Sequence, residues 1–248
     1  MQRFLFFIIM PIHFLAGIPY LGLVYLIGLF NHEQRVKMAY GYNRLTSWWL
    51  YKISRATIIA EGLENFNNDS NILYVSNHQS MLDIPLVMLY SKKPIIFIGK
   101  DSIKKWPFIG SWLLAMDGLL LDRSSARAGL QTILKAIELI KNGNSCIIYP
   151  EGTRSKDKEM LPFKQGSFKL ASKTGVPIIP ISILGTADVF ENNKVNLKPE
   201  TVYLNVGKPI LLSDLSTEDQ AKSAVYVQNV INEMFQEQLK KQQEAKHI

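Results

Sequence analysis

A chain of 248 residues, 47% of them hydrophobic, suits one large domain or one domain with a small appendage. Lys and Arg exceed Asp and Glu by 28 to 21, a formal charge of +7. No reading helix or aromatic RNA-binding strand accompanies that charge, which argues against nucleic acid and for an anionic membrane surface. A single cysteine, Cys146, excludes an internal disulfide and a cysteine-rich metal site; it reads as a small apolar residue in a strand.

The chain opens with an apolar run. From Phe4 to Phe30 no residue is formally charged unless His13 is protonated. As a helix this run would be roughly 40 Å long, enough to cross a hydrocarbon core of about 30 Å. Pro11, Gly17, Pro19, Gly22 and Gly28 interrupt it, and Pro19 is expected to divide it into two short helices. It is too long for a signal peptide, and no small-residue cleavage site follows. Membrane attachment is therefore the expected role, whether spanning or re-entrant. Arg35, Lys37, Arg44, Lys52 and Arg55 follow the run, against Arg3 alone before it. That asymmetry favours a cytoplasmic location for the rest of the chain, and the cytoplasmic face of the inner (plasma) membrane is the expected site. Tyr40, Tyr42, Trp48, Trp49 and Tyr51 suit a helix in the headgroup layer, the alternative being an amphipathic helix packed on the domain. Residues 1–55 thus read as an anchor and 56–248 as the functional domain.

From Ala56 strands and helices alternate. Strands are expected at Thr57–Glu61, Ile72–Ser76, Pro94–Ile98, Gly118–Leu121, Ser145–Tyr149, Ile178–Leu184 and Thr201–Val206. Helices are expected near 84–90, 103–116, 125–142 and 166–174. The third is the clearest, with Leu130, Ile133, Leu134, Ile137, Leu139 and Ile140 near a 3.6 period and Gly143 as its stop. The alternation predicts an α/β domain whose mixed sheet is largely parallel and flanked by helices. Ser216 and Asp219 have capping-box spacing ahead of a last helix reaching about Lys240. Its early face (Ala221, Ala224, Val225, Val227, Ile231) is expected to pack on the domain, and residues 236–246 are expected to fray.

Sites in such sheets gather beyond the carboxyl ends of strands. His78 follows one expected strand, Lys100 a second, Arg123 a third and Glu151 a fourth. In Asn77-His78-Gln79-Ser80-Met81-Leu82-Asp83 a histidine and an aspartate five positions apart span a strand-to-helix turn. The carboxylate can hold one imidazole nitrogen and leave the other free to take a proton. Ser80 and Asp83 also have the spacing of a capping box, so Asp83 can equally be read as a helix cap. Lys100 and Arg123 at strand ends suit a phosphate, or plain solvation. In Tyr149-Pro150-Glu151-Gly152-Thr153-Arg154-Ser155, Gly152 admits close backbone approach, while Glu151 and Arg154 can offer a carboxylate and a guanidinium to a ligand. The plain reading is a turn with a local ion pair. Residues 175–183 supply an apolar strand that lines an acyl pocket or fills the core.

Taken in order, these blocks resemble the bacterial 1-acyl-sn-glycerol-3-phosphate acyltransferase family. NHQSMLD matches its His-four-residues-Asp block. Lys100 through Pro107 and Gly110 to Arg123 matches the second, YPEGTRS the Glu-Gly-Thr-Arg block and VPIIPISI the fourth. The match covers roughly residues 56 to 210. It departs at Asp101-Ser102, where many members carry a Glu-Leu pair. The resemblance implies His78 as general base with Asp83 orienting it. Arg154 holds the substrate phosphate with Lys100 and Arg123 as helpers, while Glu151, Gly152 and Thr153 shape the acceptor site. Acyl-CoA or acyl-ACP (acyl carrier protein) is the implied co-substrate, with no cofactor, no metal and a membrane lipid as the acceptor. Backbone amides near 78–83 are the expected oxyanion donors. Residues 1–55 are similar to the family's helical pair that dips into one leaflet. Competing readings are a hydrolase with Ser76 or Ser80 as nucleophile, a metal hydrolase using His78, Asp83, Asp122 and Glu151, a different lysophospholipid or glycerol-3-phosphate acceptor, and a non-catalytic phospholipid-binding module.

Overall fold

A computed structural model describes residues 2–66, 71–122, 125–156, 159–193 and 197–245. Two long helices come first: α1 (Gln2–Gly28) and, after a tight turn, the antiparallel α2 (His32–Ser54), whose Asn31 cap accepts from the Gln34 amide at 2.9 Å. The domain then runs β1 (Thr57–Glu61), β2 (Leu73–Ser76), α3 (Asp83–Tyr90), β3 (Ile95–Lys100), α4 (Pro107–Ala115), β4 (Leu119–Leu121), α5 (Ala126–Lys141), β5 (Ser145–Ile148), α6 (Lys169–Thr174), β6 (Ile178–Leu184), α7 (Thr186–Val189), β7 (Thr201–Val206), α8 (Thr217–Ala221) and α9 (Ser223–Glu244).

All seven expected strands form, in the order β1-β7-β6-β2-β5-β3-β4. Every pair is parallel except β6 with β7. Alternation within strands divides the core. Tyr74, Ile95, Phe97, Ile147, Ile179, Ile181 and Ile183 face the layer of α1–α4. Leu73, Val75, Ile96, Cys146, Ile148 and Ile178 face α5, α6 and α9. β6 is buried at every position, so it fills the core. Burial pushes the Cys146 thiol up to about 12, so it packs as an inert apolar group.

Several expectations are corrected. Pro19 does not divide α1: one helix carries both Pro11 and Pro19. Each interior proline costs about 3 kcal/mol in an isolated helix, but α1 lies along α2 and is held there by packing. Tyr42 stacks on His13 at 4.6 Å and on Trp112 of α4 at 4.4 Å. A Cβ on Gly17 would sit 2.4 Å from the Tyr42 hydroxyl, so only glycine allows that approach. In α2, Tyr40 and Tyr51 are core residues, while Trp48 is exposed with Lys52 over its ring. The stretch 103–116 breaks at Trp106 into a 3-10 turn (Asp101–Lys105) and α4, because Pro107 disfavours helix in the residue before it. In α5, Leu130 and Leu134 point to solvent, and Ala136 and Ile140 are buried. The last helix is also two pieces. The break at Lys222 leaves Ala221 and Val225 exposed, and α9 runs on through the expected frayed stretch. Gln238 there is buried and bonds both the hydroxyl (2.8 Å) and the carbonyl (3.2 Å) of Ser182.

Candidate active site

The chain leaves β2 toward β3 on one side and leaves β5 toward β6 on the other, so loops diverge around the end of β2. Asn77 makes that exit possible. Its amide donates to the Ile183 carbonyl and its side-chain oxygen accepts from the Ile183 amide, both at 2.8 Å, extending the ladder by a side chain as the backbone turns away. Pro85 then sits in the first turn of α3, where its missing N–H has no helical partner to lose.

The turn is built on Asp83, which is fully buried. Its Oδ2 accepts from the Gln79 amide (2.8 Å), the Ser80 amide (2.9 Å) and His78 Nδ1 (2.8 Å); its Oδ1 accepts from the Thr186 hydroxyl (2.6 Å). Both readings of Asp83 therefore hold at once: it caps the turn and orients the imidazole. An oxygen already accepting from two amides accepts from Nδ1 as well, so the ring proton lies on Nδ1. Nε2 has no hydrogen-bond partner among the described residues, on a side chain 19% exposed. The Tyr149 ring packs against the imidazole at 4.4 Å. Burial, and then the Asp83 carboxylate, push the Tyr51 and Tyr149 hydroxyls well above their ordinary value, so the rings beneath the turn are neutral.

The loop after β5 grips the backbone of His78 from both sides. Glu151 Oε1 accepts from the His78 amide at 2.6 Å, and the His78 carbonyl accepts from Ser155 N (2.7 Å) and Oγ (3.1 Å). Gly152 adopts φ +73°, a conformation that favours glycine, and lets the loop double back. The other oxygen of Glu151 accepts from the Leu161 amide at 2.8 Å, and the residue is 2% exposed. Glu151 thus stands behind the turn as a brace, not in the cleft with a free carboxylate. Burial raises its pKa against the opposing pull of its two backbone hydrogen bonds.

The loop after β6 supplies the other wall. Besides Thr186 it brings Glu191, which accepts from the Ser80 hydroxyl (2.5 Å), the Met81 amide (2.8 Å) and Arg154 Nη1 (2.8 Å). Between the two loops lies an open cleft of about 410 Å³ lined by Gln79, Thr153, Arg154, Lys156, Asp188 and Glu191, among others. That is the size of a small-ligand site. Arg154 is half exposed there, with one of its five N–H donors committed to Glu191.

Of the residues expected at the site, His78, Asp83 and Glu151 are hydrogen-bonded together at the turn, and Thr153 and Arg154, reached through Gly152, line the cleft that begins at the neighbouring Gln79; His78 itself is not among the residues lining that cleft. Lys100 does not line the cleft. It ends β3, two strands from β2 and hence roughly 10 Å away across the sheet. Arg123 lies outside the described residues. The amides of the turn are not free oxyanion donors. His78 N goes to Glu151, Gln79 N and Ser80 N to Asp83, Met81 N to Glu191, Leu82 N to the Ser80 hydroxyl and Asp83 N to the Ser80 carbonyl. Neither serine suits a nucleophile: Ser80 bonds Glu191, and buried Ser76 bonds the Asn77 carbonyl. No group of three His, Cys, Asp or Glu among the described residues could hold a metal ion.

Sequence reasoning missed Asn77, Ser155, Thr186 and Glu191 as parts of this assembly. The signal for the last two was present. Gly185-Thr186-Ala187-Asp188-Val189-Phe190-Glu191 follows a strand just as the other clusters do. That its strand lies directly beside β2 is a fact of pairing.

The family model described as Acyltransferase matches residues 57–184, a little over half of the chain. Among curated relatives, a 1-acyl-sn-glycerol-3-phosphate acyltransferase of Borreliella burgdorferi is 34% identical over 161 residues, covering 64% of this chain and 63% of that protein. One of Cocos nucifera is 32% identical over 185 residues, covering 74% and 59%. The chloroplastic BAT2 enzyme of Brassica napus is 40% identical over 153 residues, covering 60% and 44%. The aligned stretch thus spans between 44% and 63% of these relatives. The crystal structure of the 1-acyl-sn-glycerophosphate acyltransferase PlsC of Thermotoga maritima superposes with a TM-score of 0.78, at 28% identity and over 95% of both chains. The family model and the fold agree, and the chain belongs to the Acyltransferase family.

Proposed function

We propose that this protein moves a fatty acyl group from an acyl thioester, acyl-CoA or acyl-ACP, to the sn-2 hydroxyl of a 1-acyl-glycerol-3-phosphate, giving phosphatidic acid. The observation that carries the reading is the His78–Asp83 pair, its free Nε2 at a turn whose neighbouring loops offer Arg154 and Lys156 to one cleft. Nε2 takes the proton of the acceptor hydroxyl as its oxygen attacks the thioester carbonyl carbon. The tetrahedral intermediate collapses, the carbon–sulfur bond breaks, and the thiolate leaves and takes the proton back from the imidazolium. No covalent acyl-enzyme, metal or cofactor is needed. A positioned base of this kind contributes about 10²–10⁴-fold. Arg154 and Lys156 hold the acceptor phosphate, and α1, through its exposed apolar face, attaches the protein to the cytoplasmic face of the membrane that supplies the acceptor.

The test is thiol release from oleoyl-CoA and from oleoyl-ACP by detergent-purified protein, with and without lysophosphatidic acid, wild type beside His78→Ala. Acceptor-dependent release that vanishes in the variant, with phosphatidic acid identified by mass, is the expected result. Release without acceptor would instead indicate a thioesterase. Silence with both donors would revive a lipid-binding module.

A further inference from the structure

We propose that Glu191 is the positioning residue for Arg154, tying the phosphate-binding guanidinium to the backbone of the His78 turn so that phosphate and general base are held in one fixed geometry. This rests on the reading of Arg154 as the acceptor's phosphate ligand. Glu191 Oε1 bridges the Met81 amide and Arg154 Nη1, both at 2.8 Å, while Oε2 takes the Ser80 hydroxyl at 2.5 Å. One carboxylate therefore joins the loop after β5 to the turn after β2, two residues before Asp83.

Glu191 is itself held. Its segment begins at Gly185 (φ +93°), where a Cβ would meet the Thr201 carbonyl oxygen at 2.4 Å. Thr186 then bonds Asp83, and Val189 is buried with its carbonyl accepting from the Lys198 amide at 2.9 Å. Arg154, by contrast, is a long side chain half exposed on a loop. Left free it would give up rotamer entropy each time it gripped a phosphate; held by one N–H, it has four donors left for the ligand. Asp188, the other carboxylate of the cleft, accepts from Asn192 at 2.8 Å.

The experiment is a double-mutant cycle on the full-length chain in mixed micelles with oleoyl-CoA and lysophosphatidic acid. It compares Glu191→Ala, Glu191→Gln, Arg154→Ala and the two double variants. The quantity read is the acceptor KM, or the acceptor Kd by titration where turnover is too slow to time. Glu191→Ala is expected to raise it about three- to tenfold, the range of a partly exposed charge-assisted bond, and to add nothing once Arg154 is gone. Glu191→Gln, which keeps one acceptor oxygen, is expected to give a smaller rise at an unchanged melting temperature, and it stands in if the alanine variant fails to fold. Effects that add across the two sites, a lower kcat at constant KM, or a lower KM would each overturn the proposal; the last would make Glu191 a competitor for Arg154. If Arg154→Ala alone leaves the acceptor KM unchanged, the phosphate reading falls instead.

Discussion

At the scale of single residues, the buried carboxylates Asp83 and Glu151 do different work, and their substitutions separate the two. Asp83 accepts on both oxygens, but one of its four donors, the Thr186 hydroxyl, can also accept. In Asp83→Asn the amide oxygen can therefore keep the Gln79, Ser80 and His78 bonds while its NH2 turns to Thr186. The fold should survive while the charge that stabilises an imidazolium is lost. We expect kcat to fall about 10²–10⁴-fold with acceptor KM within a factor of three (~0.6 kcal/mol); turnover near wild type would remove Asp83 from the chemistry. Glu151 faces two backbone N–H groups, His78 and Leu161, which can only donate. Glu151→Gln must set its NH2 against one of them, a buried mismatch of about 1–3 kcal/mol. Melting should drop and the His78 turn should loosen. Burial raises the folded Glu151 pKa above its ordinary 4.5. Just above that pH the folded chain therefore binds more protons than the unfolded one, and this group's contribution to stability falls as pH rises through the folded value. Melting temperature against pH, for wild type and Glu151→Gln, should show that decline in the wild type only. Equal curves would mean that the carboxyl titrates alike in both states.

At the scale of elements, α9 gives the sharpest contrast between sequence and structure. Residues 236–246 are polar except for Leu239 and Ala245, and that polarity predicts fraying. In the fold Gln238 closes over Ser182 in the middle of β6, and Lys241 pairs with Glu61 at 2.6 Å. Ending the chain after Gln236 should leave the Ser182 hydroxyl and carbonyl without their partner. At about 1–3 kcal/mol for a buried group so exposed, and about 2–4 °C per kcal/mol for a chain this size, melting should fall by several degrees. An unchanged melting temperature would restore the frayed tail. What the sequence made legible follows a pattern. Strands were legible because their apolar runs are short and bounded by Gly, Pro and charge, and Thr57–Glu61, Ile178–Leu184 and Thr201–Val206 form with the expected ends. His78, Asp83 and Arg154 were legible because they lie close together in chain or motif. Glu191 was not, because its role depends on β6 pairing with β2, and strand order is set by tertiary packing with no local mark. The unbroken α1 failed for a similar reason: Pro19 weakens a helix locally, but α2 and α4 decide it.

At the scale of the whole molecule, the arrangement bears on how α1 meets a membrane. Met10–Gly28 is long and apolar enough to cross one by length and composition. Yet α1 is fixed to the domain along its length: His13 bonds Thr46 at 2.7 Å, Gly17 meets Tyr42, Tyr25 bonds the Ser111 carbonyl at 3.2 Å, and Gly28 abuts Arg35. To span, α1 would have to draw α2 into hydrocarbon, with Arg35, Lys37, Arg44 and Lys52 on it, each costing about 2.5–3.5 kcal/mol at the centre of a bilayer. This geometry favours a helix lying in one leaflet. Its outer face offers Ile12, Leu15, Ile18 and Leu26, and the turn that follows it Leu29 and Phe30, all at least half exposed. Deleting α1 would be a poor test, because it would also strip the cover from Tyr42 and Trp112. Leu15→Asp with Leu26→Asp touches only the outer face. Flotation with vesicles containing anionic lipid should then fall more than tenfold while the melting temperature in detergent stays put. Turnover of lysophosphatidic acid in vesicles should drop with it, and turnover of the same acceptor in micelles should not. Full flotation of the double variant would place the attachment elsewhere on the surface. A loss in micelles as well would mean that the outer face of α1 acts in the reaction itself, beyond holding the cleft at the membrane.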